Sequence, residues 1–234
     1  MTTGKPKVLI VLTSSKHGWY LPELAHPYEI LAPHTDITMA SHLGGEAPLD
    51  EKSVEAFKND EICARFVREN QKVWKNTEKL EDLVPRAKEF DVLFYVGGYG
   101  PTFDVTDSEA TVAFVEQFYH SKKIISGICH GAAVLAHRTI PGTDKSILEG
   151  HRVTGISNKE VDMLASGIEE PFSVESDLSK AGGKYEKAAE PFSGHVVVSK
   201  DSEGRAFITG QNPASAVGIG KAIYEELFKK PYQG

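Results

Sequence analysis

Ile124-Ile125-Ser126-Gly127-Ile128-Cys129-His130-Gly131-Ala132-Ala133-Val134-Leu135 begins as the run of a buried strand and ends as a helix of small and apolar residues. Between the two lies Gly127-x-Cys129-x-Gly131, the spacing of a nucleophile elbow with Cys in place of Ser. A side chain presented at the tip of a sharp strand-to-helix turn leaves no room for Cβ atoms on either side, which calls for flanking glycines. The helix that follows directs free N–H groups and the positive end of its dipole at the sulfur, favouring the reactive thiolate over the thiol. His130 adjoins it and can add a positive charge or act as a base. A free cysteine is usually one more packed core residue. The two glycines, the neighbouring His and the strand–helix context favour a reactive thiol at Cys129 instead.

Working outward, Asp91–Val96 is another strand of the kind buried on both faces, ending in Gly97-Gly98-Tyr99-Gly100-Pro101. A lone Gly-Gly would read as a tight turn. Beside an elbow cysteine it reads as part of an oxyanion hole, formed by the backbone N–H groups of Gly98 and His130. Lys7–Leu12 is a third apolar run, with the polar loop Thr13–Gly18 at its carboxyl end. Leu21–Leu31 follows as a helix interrupted by Pro27, with Glu23 in its first turn. A Glu there ordinarily serves the helix N-terminus, but this one lies at the sheet edge where ligands bind.

Asp36–Ala40 reads as the second strand, and 50–89 as an inserted helical lobe of two or three short helices carrying Cys63 as a packed thiol. Thr106-Asp107-Ser108-Glu109 is a capping-box pattern opening a helix to about His120. The elbow helix is expected to reach Arg138. A short strand lies at Gly150–Thr154. Ser157-Asn158-Lys159-Glu160 opens a helix to about Ala165, with Glu160 again in a first turn. His195–Val198 and Ala206–Thr209 pair as a hairpin, and Asn212-Pro213 starts the last helix, running to about Lys229. Strands alternating with helices predict one α/β domain over 1–234: a doubly wound, mainly parallel sheet flanked by helices, with a small helical insertion. Ligands bind at the carboxyl edge of such sheets, where 13–18, 97–100 and Cys129-His130 converge.

The chain has 234 residues, 40% hydrophobic and 25% charged, with a formal charge of −7. That balance argues against nucleic acid as a partner, and no apolar run approaches the ~18 residues of a bilayer span. The polar N-terminus MTTGKPK shows no signal-peptide core. Cys63 and Cys129 are the two cysteines, in no metal-ligand or C-x-x-C spacing, so a reducing compartment and no metal are expected. G-x-G-x-x-G is absent, so no dinucleotide is expected.

Gly127-Ile128-Cys129-His130-Gly131, Glu23-Leu24-Ala25-His26-Pro27, Gly97-Gly98-Tyr99-Gly100 and Gly210-Gln211-Asn212-Pro213-Ala214-Ser215 together resemble the ThiJ/PfpI (DJ-one) superfamily, related to class I glutamine amidotransferases, over essentially the whole chain. The 50–89 lobe and Leu148–Gly155 look like its fungal heat-shock-type branch of glutathione-independent glyoxalases (glyoxalase III, or D-lactate dehydratase). The resemblance implies a flavodoxin-like fold, with Cys129 as nucleophile and His130 as its partner. It makes Glu160 the acid orienting His130, and Glu23 a general acid/base against the sulfur. It implies a 2-oxoaldehyde such as methylglyoxal as substrate, no cofactor, a homodimer, and a cytoplasmic address with the nucleus as a second. The loop 13–18 is shorter than in many members, which leaves the pocket rim near Trp19 and Tyr20 open to difference. The same cysteine could serve a holding chaperone, a redox sensor, or a protein deglycase or amidase.

Overall fold

The run Lys7–Leu12 forms β1, whose residues beyond Lys7 are all buried because parallel strands cover it on both edges. A computed structural model describes residues 4–234. Met1–Thr3, the start of the N-terminal stretch read above as lacking a signal peptide, lie outside the described residues. In chain order the elements are β1, α1 (Leu21–Leu31), β2 (Asp36–Ser41), α2 (Glu51–Ala56), α3 (Glu61–Glu69), α4 (Lys72–Lys75), β3 (Glu78–Lys79), α5 (Leu80–Leu83) and β4 (Val92–Tyr95). There follow α6 (Glu109–His120), β5 (Ile124–Ile128), β6 (Arg152–Val153), α7 (Asn158–Leu164), α8 (Val174–Lys180), β7 (Lys184–Tyr185), β8 (Val196–Lys200), β9 (Ala206–Gly210) and α9 (Ala216–Phe228).

The main sheet has the order β3-β2-β1-β4-β5-β9-β8, and every pair is parallel except β8 with β9. This is the mainly parallel, helix-flanked sheet expected from the alternation of strands and helices. The three continuous apolar runs, β1, β4 and β5, are adjacent at its centre, with Leu9 beside Leu93 and Leu93 beside Ile125. Their carboxyl ends therefore open on one edge. β6 and β7 form a separate two-stranded parallel pair.

Four local expectations need correction. Pro27 does not interrupt α1, which is continuous from Leu21 to Leu31. The missing N–H forfeits one bond to the Glu23 carbonyl, and packing of α1 on α9 outweighs it. The approach of these helices requires Gly220, where a Cβ would lie 2.9 Å from Ile30 Cδ1 and 3.0 Å from Pro27 Cα. The segment after the elbow is a 3-10 turn over Cys129–Leu135, every residue of it buried, rather than an α-helix to Arg138. The cap of α6 is Ser108, whose Oγ accepts from Thr111 N at 3.1 Å, while Thr106 donates to the Pro101 carbonyl. The 50–89 insertion is more fragmented than two or three helices, and its β3 pairs with β2 to become an edge of the main sheet. No helix among the described residues is long and apolar enough to cross a membrane.

Candidate active site

Cys129 leaves the end of β5 with φ +57°, the left-handed region that L-residues avoid. That turn swings the thiol out of the strand line, and the neighbouring backbone closes on it. A Cβ at Gly131 would lie 2.5 Å from the Tyr95 carbonyl, and one at Gly127 2.8 Å from the Gly131 carbonyl. The two glycines of the motif are thus steric necessities. A third is Gly97, whose Cβ would lie 2.7 Å from Cys129 Cβ and collide with Glu23 Oε2. Because the following turn is short and 3-10, the sulfur is not served by a long helix dipole. It is served by two particular amides, the N–H groups of His130 and Gly98, which both bear on Sγ.

Glu23 reaches this point from the first turn of α1 and is fully buried. Neither carboxylate oxygen has a partner of good hydrogen-bond geometry; Cys129 Sγ and the Gly97 N–H are the polar groups near enough to favour ionisation. Burial outweighs both, so its pKa rises from the ordinary 4.5 to about 8. The Cys129 thiol is pushed well above its ordinary value, first by burial and then by the Glu23 carboxylate, against the pull of the two amides. The expectation of a thiolate set by a helix terminus does not hold: both shifts run upward, so the sulfur stays a thiol and the carboxyl keeps its own proton at neutral pH. With that proton on Glu23, the acid has no charge to oppose a thiolate and offers it an O–H.

His130 Nδ1 lies 3.4 Å from Cys129 Sγ, and Tyr99 packs over the imidazole with ring centroids 4.8 Å apart. The group on the far side of the ring is Glu170, whose Oε2 is 3.0 Å from Nε2, an oblique approach rather than one along the N–H axis. Glu160, the acid implied for this place, is elsewhere. It is the N3 residue of a capping box with Ser157 at the start of α7. Its Oε2 accepts from Ser157 N, Ser157 Oγ and Gln211 Nε2, and its Oε1 from Phe192 N and Asn212 Nδ2, at 2.7–2.9 Å. Burial pushes this carboxyl up, but the donors of Ser157, Asn212 and Gln211 prevail and hold it below its ordinary value. No lone pair is left for His130. Glu170 was missed because it falls in the irregular stretch 165–173, where no periodic pattern marks a side chain's direction.

Of the two cysteines, Cys63 is packed in α3 as expected. The fold also brings His26 and Asp60 beside it, with the three ligand-type atoms within 4.8 Å, a juxtaposition no sequence spacing reveals. Asp60 is already occupied there. Its Oδ1 caps α3 by accepting from Cys63 N, and its Oδ2 is 3.2 Å from His26 Nε2.

Cys129, His130, Glu23 and Gly98 line the floor of a cavity of about 470 Å³. Lys16 and His17 reach its rim from the short loop after β1, which Asp104 pins through Thr13 Oγ1 and Ser14 N at 2.7 and 2.6 Å. Tyr20, Ile156, Leu164, Ile168 and Phe192 line it together with the polar Asp50, Lys52 and Ser166. An elbow cysteine with two converging amides, a His and a protonated carboxyl, at the carboxyl edge of a doubly wound sheet, defines a cysteine-centred α/β protein of the kind that forms covalent adducts with carbonyls. The DJ-1/PfpI family model matches residues 23–226, and the chain belongs to that family.

Among curated proteins the chain is similar to Glyoxalase 3 of Candida albicans, 27% identical over 90% of this chain and 94% of the relative. It is also similar to the Saccharomyces cerevisiae protein named Glutathione-independent glyoxalase HSP31, 24% identical over 90% and 93%. Among solved structures, Rapid Encystment Protein 24 KDa of Francisella tularensis superposes with a TM-score of 0.84 at 34% identity, over 95% of this chain and 99% of that one. Glyoxalase III from Candida albicans superposes with a TM-score of 0.79 at 25% identity, over 94% and 97%.

Proposed function

We propose that this protein is a glutathione-independent glyoxalase of the D-lactate dehydratase type, converting methylglyoxal and related 2-oxoaldehydes to 2-hydroxy acids. The observation that carries the reading is the buried Glu23 carboxyl, protonated at neutral pH and set against the Cys129 sulfur. Rearranging an aldehyde and its neighbouring ketone requires one group to take a proton from C1 and return it to C2, out of reach of bulk water. The names of the fungal relatives support the same chemistry.

Cys129 Sγ attacks the aldehyde carbon, and its proton passes to His130 Nδ1. The aldehyde π electrons move to oxygen, which the Gly98 and His130 amides stabilise and Glu23 protonates; one such donor is typically worth about 3 kcal/mol. The Glu23 carboxylate then takes the C1 hydrogen while His130 protonates the C2 oxygen, forming an enediol. Glu23 returns the proton to C2, the C1 hydroxyl proton passes to His130, and the C1 carbonyl reforms as a thioester. His130 passes that proton to the Glu23 carboxylate, and the neutral imidazole then takes a proton from the water that attacks the thioester carbonyl. Collapse of the adduct breaks the C–S bond, the sulfur regains its proton from His130, and the 2-hydroxy acid leaves. Glu170 holds the imidazole and offsets its positive charge. The sum is oxoaldehyde plus water giving hydroxy acid, with no external reductant and no glutathione. A cytoplasmic address and a homodimer accompany this reading and rest on the family resemblance.

The test is D-lactate formation from methylglyoxal without glutathione, in wild type, Cys129→Ala and Glu23→Gln. Turnover lost in both variants supports the reading. Turnover that survives Glu23→Gln removes Glu23 from the proton transfer. A reduced wild-type protein that makes no lactate ends the reading.

A further inference from the structure

Among the described residues, five other than glycine have positive φ: Lys122, Cys129, Ala165, Phe192 and Lys229. Cys129 is the nucleophile elbow. Ala165 closes α7 between Leu164 and Ser166, which both line the cavity. Phe192, at φ +62°, lines the cavity itself. A bulky aromatic residue has no intrinsic reason to adopt the left-handed region, so something must impose it. The imposing contact is the bond from Phe192 N–H to Glu160 Oε1 at 2.8 Å.

Glu160 is fully buried, and its carboxylate gathers five donors and no cation. Capping α7 needs only the bonds with Ser157. The others tie together three separate pieces of chain around the cavity: the start of α7, the turn at Phe192, and Gln211-Asn212 at the end of β9. Asn212 Nδ2 also donates to the Ser193 carbonyl at 2.8 Å, fixing the Phe192 turn from its other side. The ring so held is 41% exposed, an apolar group kept at the pocket mouth rather than folded into the core. Leu164 is 45% exposed on the same cavity. Asp50, Lys52 and Ser166 also line the cavity, and Phe192 with Leu164, Ile156 and Ile168 supplies its apolar part.

We infer that Phe192 selects the substituent R of an R–CO–CHO substrate, favouring an R that is apolar and larger than methyl, and that Glu160 is the positioning residue that holds it. This deepens the proposed activity and rests on it. Methylglyoxal has five non-hydrogen atoms and leaves most of a 470 Å³ cavity unfilled, so only a larger R reaches a wall at the mouth. An aryl R can pack against the Phe192 ring while the aldehyde meets Cys129.

The experiment compares kcat/KM for phenylglyoxal and methylglyoxal in wild type, Phe192→Gly, Glu160→Gln and the double variant. Glycine accepts φ +62°, so Phe192→Gly removes the ring without demanding a new backbone. Each single variant is expected to lower the phenylglyoxal preference by about tenfold, mainly through KM, the scale of a lost apolar contact. The double variant is expected to fall no further than Phe192→Gly alone, because both changes remove one wall. A preference unchanged in Phe192→Gly overturns the inference, as does a double variant whose loss equals the product of the two single losses. If Glu160→Gln does not fold, Phe192→Gly decides alone. If wild type turns over neither oxoaldehyde, the proposed activity fails, and the wall is read from Cys129 alkylation by N-benzyliodoacetamide against iodoacetamide. A tenfold loss of the benzyl preference in Phe192→Gly then supports the wall, and an unchanged preference removes it.

Discussion

Glu23→Gln should make this protein more stable and less active, and the gain should depend on pH. The carboxyl ionises at 4.5 when free in water and at about 8 in its buried place. Below pH 4.5 both folded and unfolded chains hold the proton, and Glu23 imposes no ionisation penalty. Between 4.5 and 8 the unfolded chain releases the proton and the folded chain keeps it, so stability falls as pH rises. Above 8 both are ionised and the penalty is complete. At about 1.4 kcal/mol per tenfold, the span is on the order of 5 kcal/mol, of which roughly 3 is already present at pH 7. Full burial leaves no solvent screening to discount it. Glutamine keeps the shape of the protonated acid and cannot ionise, so the variant lacks this slope. Urea unfolding of wild type and variant at pH 5, 7 and 8.5 measures it. The two should agree within about 1 kcal/mol at pH 5 and diverge by roughly 3 to 5 kcal/mol at pH 8.5, the variant being more stable. Curves that run parallel across this range would refute the raised pKa, and with it the protonated acid on which the proton transfer depends.

The same titration should appear in catalysis: methylglyoxal turnover should decline as pH rises through about 8, where Glu23 loses its proton and its charge opposes the thiolate. A rate still climbing at pH 9 contradicts this. Glu170→Gln should lower kcat by about 10- to 100-fold with little change in KM, because it loosens the imidazole without touching the pocket walls. A Glu170→Gln enzyme with wild-type kcat would return the orienting role to another residue. Gly220→Ala should cost about 1–3 kcal/mol in urea unfolding by pushing α1 from α9, since Pro27 Cα cannot retreat as a flexible side chain would. An unchanged midpoint would show that the two helices can part.

The legible parts of this protein are those where neighbouring residues in sequence are neighbours in chemistry. Three apolar runs of strand length could only be buried on both faces, and β1, β4 and β5 lie together at the sheet centre. Gly127-x-Cys129-x-Gly131 declares a sharp turn because the steric need for missing Cβ atoms is local. Glu23 and Gly98 could be placed at the site because the carboxyl edge of a parallel sheet gathers the ends of its strands. Where two carboxylates compete, local pattern fails. Glu160 and Glu23 both read as first-turn acids, and only the fold decides that one caps its own helix while the other is buried against sulfur. Ionisation was equally out of reach, since it is set by how much water the fold removes and not by the identity of the adjoining residue. Glu170 and Phe192 come from irregular chain, the first 3.0 Å from the distant His130 ring and the second held by its N–H bond to Glu160, 32 positions away. The sheet and the elbow cysteine were legible because their steric needs are local. Tertiary contact alone decided which acid meets His130, which carboxyl holds its proton, and which side chains line the cavity, because these depend on water removed and on residues far apart in the chain.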